Sequence, residues 1–69
     1  MKIERLIKMT NDISDFFNAE SDKEIAAEGV KSHIMRAWEP RMRKAIIAYH
    51  QESGDGLSEL AKAAVARLT

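Results

Sequence analysis

No cysteine occurs anywhere in the sequence. That absence excludes disulfides, thiolate zinc sites, the usual iron–sulfur ligands and thiol nucleophiles, so an electron-transfer role has no ligands within this chain. An excess of one charge is also missing. Eleven Lys and Arg balance eleven Asp and Glu, so no net field draws the chain to nucleic acid or to an anionic membrane. Long apolar runs are absent too. The opening Met1-Lys2-Ile3-Glu4-Arg5-Leu6 carries charge at every turn and resembles neither a signal peptide nor a membrane span, so the expected location is the cytoplasm.

What remains is a short chain of 69 residues, enough for one compact domain that buries roughly 60% of its unfolded surface. Small scaffolds supplement a thin core with disulfides, a metal or a partner. With no cysteine, a protein partner is the expected supplement.

The apolar spacing is helical throughout, and no alternating segment is long enough for a strand. The fold class expected is all-α, a small single-domain bundle of three to four short helices spanning residues 1–69. The helices are predicted over about residues 3–18, 22–37, 40–52 and 58–68. In the first, Ile3, Leu6, Ile7, Met9, Ile13, Phe16 and Phe17 occupy roughly half the circumference, whereas packing on one core needs a stripe of only about 100°. The surplus points to a second contact, or to a helix wrapped on two sides by its own bundle. Ser21 and Glu24 have the spacing of a capping box at the start of the second helix. Its stripe is Ala26, Ala27, Val30, Ile34, Ala37 and Trp38. Gly29 lies mid-helix, either admitting a close neighbour or tolerated at a cost of about 1 kcal/mol. Pro40 ends this helix and suits the first turn of the next. Gly54-Asp55-Gly56 supplies left-handed backbone for a turn, and Leu57-Ser58 has the form of a staple residue followed by an N-cap.

Few residues invite a chemical role. His33 and His50 have neither a cysteine nor an i,i+4 partner, and neither a catalytic nor a metal site is expected from them. The Gly54-Asp55-Gly56 segment lacks the preceding strand of a phosphate loop. The basic group Arg36, Arg41, Arg43 and Lys44 is different, because it surrounds Trp38 and Pro40, and Arg and Trp are typical interface anchors. Ile47 falls on the Arg43 and Lys44 side of its helix, away from Met42, Ile46 and Tyr49, and is expected to be exposed. The candidate protein-interface residues are therefore Phe16, His33, Arg36, Trp38, Pro40, Arg41, Met42, Arg43 and Ile47.

Four blocks carry a family resemblance. They are Arg5-Leu6-Ile7-Lys8-Met9 with Asn11, Ile13, Phe16 and Phe17; Gly29-Val30 with His33-Ile34; Trp38-Glu39-Pro40-Arg41-Met42-Arg43; and Gly54-Asp55-Gly56-Leu57. Together they resemble the small delta subunits of NAD-dependent, molybdenum-containing formate dehydrogenases along nearly the whole chain, and the third block is the specific one. The chain departs from the family pattern at Ala37, where a second aromatic would precede the tryptophan, so no stacked aromatic pair is expected there. The resemblance implies an accessory, non-catalytic subunit of a cytoplasmic complex that interconverts formate and carbon dioxide with NAD. It implies a large molybdopterin-containing subunit as partner, bound and stabilised or aided in assembly and cofactor maturation. The bis-pyranopterin molybdenum centre, iron–sulfur clusters, FMN and NAD would all reside on other subunits, with none bound by this chain. Two other readings stand beside it: a small helical nucleic-acid-binding regulator of the helix-turn-helix kind, and a self-associating helical module that forms a homodimer when the chain is isolated.

Overall fold

A computed structural model describes residues 2–69; Met1, the first residue of the expected domain, lies outside them. Four helices follow in order, α1 (Ile3–Phe17), α2 (Lys23–Ala37), α3 (Pro40–Glu52) and α4 (Glu59–Ala66). α2 packs on both α1 and α4, and α3 lies across α1 and α4.

Local chemistry sets each boundary. The carbonyl end of α1 is met by Lys23, whose Nζ donates to the Asn18 backbone and side-chain oxygens and to the Glu20 carbonyl, each at 2.9 Å. The capping box of Ser21 and Glu24 does not form. Asp22 is the N-cap of α2, and its Oδ1 accepts from the backbone N–H of Glu24 at 3.0 Å and of Ile25 at 3.4 Å. A carboxylate offers more acceptor capacity than a hydroxyl and its charge favours the helix N-terminus, so the start moves one residue on. Trp38 and Glu39 are extended, and Pro40 opens α3. The Arg43 guanidinium donates to the Trp38 carbonyl across this corner. Gly54 and Gly56 take φ of 71° and 87°, a region that disfavours residues with a Cβ. The Ser58 hydroxyl then accepts from the Ala61 N–H at 3.2 Å to cap α4. α4 is shorter than the spacing predicts, because Arg67 and Leu68 bond back three residues, to Ala64 and Val65, and tighten the final turn.

The core contains Leu6, Val30, Ile34, Trp38, Ile46, Leu57, Leu60 and Val65 with the alanines 26, 27, 61 and 64. The alanines lie on α2 and α4, where small side chains permit close helix approach. On α1 the buried line is Leu6, Thr10 and Ser14. The two hydroxyls donate to carbonyls one turn back, Thr10 to Leu6 at 2.7 Å and Ser14 to Thr10 at 2.8 Å, so they are buried without an orphaned polar atom. Of the seven apolar residues that define the α1 stripe in the sequence, only Leu6 is fully buried; the others flank this narrow line.

Two polar ties fasten the ends. Asn11 donates to the Gly56 carbonyl at 2.8 Å and accepts from the Ser58 N–H at 2.9 Å, clamping the α3–α4 loop to α1. Arg67 pairs with Glu28 at 3.0 Å, joining the C-terminus to α2, and Lys31 pairs with the same carboxylate at 3.3 Å. Hydrogen bonds from Arg67 and Lys31 hold the Glu28 carboxyl below its ordinary value.

Candidate protein interaction face

The seam between α1 and α2 is built around a missing side chain. A Cβ placed on Gly29 would lie 2.6 Å from Cε1 and 2.7 Å from Cδ1 of Phe17, so the glycine admits the Phe17 ring into the seam. Phe17 in turn supports Phe16 edge to face, with ring centroids 5.3 Å apart and planes at 86°, a favoured aromatic geometry. Phe16 remains 78% exposed. Asp12, Ile13, Phe16, Phe17 and His33 line a shallow hollow of about 370 Å³. Ile25, 60% exposed, lies one turn before Gly29 on the α2 line that continues to His33. His33 also borders a second hollow with Arg36 and Ala37, which carries the face from apolar to basic.

The remaining candidates separate from this face. Trp38 is a core residue at 5% exposure, and Met42 packs half-buried against the core. Arg43 is half-buried and committed to the Trp38 carbonyl. Pro40 and Arg41 are exposed at the start of α3. Ile47 is not exposed as expected: it is half-buried and packs against the core. The reason is that α3 touches α1 and α4 on two sides, so its buried arc is wider than the stripe of Met42, Ile46 and Tyr49.

Among the described residues Arg36 and Arg41 form no ion pair; Arg36 donates only through Nε to the Ser32 carbonyl at 3.3 Å. Phe16 and Arg36 border two hollows that meet at His33, and exposed aromatic and arginine side chains are residue types that anchor interfaces. Among the described residues no cluster of three or more His, Asp or Glu side chains is arranged to hold a metal ion, and no helix is long and apolar enough to cross a membrane.

Ile25 and Met35, the latter 47% exposed, were not singled out by sequence reasoning. Both are large apolar residues on the polar side of α2, and that mismatch is the signal that finds them.

Comparison with known proteins gives one result. The family model described as the NADH-dependent formate dehydrogenase delta subunit, FdsD, matches residues 5–65. No curated protein and no solved structure matches the chain.

Proposed function

The chain belongs to the delta-subunit family of NADH-dependent formate dehydrogenases, and we propose that it serves such an enzyme as a non-catalytic accessory subunit in the cytoplasm. In this reading it binds and stabilises the large molybdenum-containing subunit, or aids that subunit's assembly and cofactor maturation. The family match over residues 5–65 carries the proposal. The exposed Phe16 hollow supports it, since apolar surface on so small a chain calls for a cover.

Formate oxidation moves two electrons, and that chemistry needs cofactors. This chain has no cysteine to ligate a cluster. In this reading the bis-pyranopterin molybdenum centre, iron–sulfur clusters, FMN and NAD, which the family resemblance implies for the complex, reside on other subunits. The contact proposed on this side consists of Phe16, Ile25, His33 and Arg36, with Arg41 as an outlying cation.

Co-purification with the large subunit tests the reading. Phe16→Ser combined with Arg36→Glu is expected to lower recovery by at least about tenfold, as loss of an anchor does, with helicity unchanged. Equal recovery of this variant removes the face from the proposal. Failure of the unaltered chain to associate with any formate dehydrogenase subunit overturns the reading itself. Molybdenum content of the large subunit, with and without this chain, distinguishes maturation from stabilisation.

A further inference from the structure

We propose that two copies of this chain pair through the outward stripe of α1, antiparallel about a two-fold axis near the helix midpoint. Arg5, Lys8, Asp12 and Asp15 are spaced by three and four residues, so they share one face of α1, and all four are exposed. Their signs run plus, plus, minus, minus along the helix. That order opposes the macrodipole, which favours acids in the first turn and bases in the last; α1 has no base in its last turn. Apart from the Lys8–Asp12 pair one turn apart, a helix standing alone in water gains nothing from such an order.

An antiparallel copy does gain from it. A two-fold axis crossing α1 near Thr10 sets Arg5 opposite Asp15 of the second chain and Lys8 opposite its Asp12, and symmetry doubles both pairs. Among the described residues Arg5 and Asp15 have no ion pair within their own chain. Lys8 and Asp12 bond each other at 2.9 Å, yet stay 77% and 61% exposed, open to a second partner. Met9, Ile13 and Phe16 lie beside the charges as an apolar edge, and the same rotation brings Phe16 level with the first turn of the other α1. Two chains of zero formal net charge also meet without net repulsion.

The pair is weak. A molecule of 32 × 23 × 19 Å has little more than one broad face with which to approach the ~800 Å² per partner of a standard interface, so pairing depends on concentration. Phe16 is shared with the face proposed for the large subunit, so self-pairing belongs to the free chain and yields on assembly. It is a property of this chain alone and stands or falls separately from the formate dehydrogenase reading.

Sedimentation equilibrium of the full chain from about 5 to about 500 μM tests it, in the affinity range of a small polar interface. The mass is expected to rise from 7.8 kDa towards twice that, less so at high salt. Arg5→Glu with Lys8→Glu places acids at the end the helix dipole favours, so circular dichroism should show a folded chain that pairs about tenfold more weakly or worse, as loss of four exposed ion pairs implies. Asp12→Lys with Asp15→Lys should behave likewise. A mixture of the two variants should pair again, because every cross-chain contact is then complementary. A chain that stays at 7.8 kDa throughout overturns the proposal. So does a mixture that associates no better than either variant alone.

Discussion

Phe17 of α1 lies over Gly29 of α2 so closely that a Cβ on the glycine would be 2.6 Å from the ring. Gly29→Ala therefore sets two effects against each other: alanine improves helix propensity by about 1 kcal/mol, while overpacking costs about 1–3 kcal/mol. Overpacking should win, with a net loss of about 1 kcal/mol on denaturant unfolding. In a Phe17→Ala background the clash is gone and the same substitution should stabilise by up to about 1 kcal/mol. A double-mutant cycle without this change of sign would refute the close approach as the reason for the glycine.

Asn11 is the second point at which one side chain decides an arrangement. Asn11→Ala removes the bond to the Gly56 carbonyl and the bond from the Ser58 N–H, at an expected cost of roughly 1–2 kcal/mol for two partly solvated hydrogen bonds. Asn11→Asp keeps the acceptor for Ser58 but sets a carboxylate against the Gly56 carbonyl, so it should not restore stability. Thermal unfolding of the three proteins gives the order, and an aspartate variant as stable as the parent would contradict the clamp.

The buried hydroxyls of α1 should matter little by contrast. Ser14 bonds only a carbonyl of its own helix, which a regular α-helix already satisfies through its backbone ladder. Ser14→Ala is thus expected to stabilise the chain by about 0.5 kcal/mol through helix propensity. A loss above about 1 kcal/mol, the cost of an orphaned buried group, would show that the hydroxyl has another partner.

Much of this architecture can be read from residue order, and the exceptions have physical causes. Helix periodicity, the proline at the α2–α3 corner and the Gly54-Asp55-Gly56 turn are local signals, and they place four helices and no strand among the described residues. Asp22 in place of Ser21 at the α2 cap is a contest between adjacent acceptors that spacing alone does not decide. Thr10 and Ser14 as the buried line of α1, and Ile47 against the core, depend on which helices lie on each side. That information is tertiary. In the candidate face, the excess of apolar residues on α1 makes Phe16 conspicuous in the sequence. The separation of Trp38 and Arg43 from it is not legible, because the Arg43 bond to the Trp38 carbonyl exists only once the corner is folded.

The ion pairs of Glu28 yield a prediction about acid. Its carboxyl lies below the ordinary value of 4.5 chiefly through the hydrogen bond from Arg67, then that from Lys31. A depressed carboxylate adds stability that is present above the unfolded value and fades as pH falls through the folded one. NMR titration should find the Glu28 midpoint below its ordinary value, and Arg67→Ala should move it back up. An unmoved midpoint would show that the pair at 3.0 Å is not maintained in solution.

α2 and α4, which pack on each other and carry four buried alanines between them, have a consequence for how the chain opens. Small methyl groups release less greasy area to water than leucine or isoleucine would when the helices part, so these four positions add little to the penalty for opening. Any molecule that binds only the closed form would then slow proteolysis of the chain by mass action.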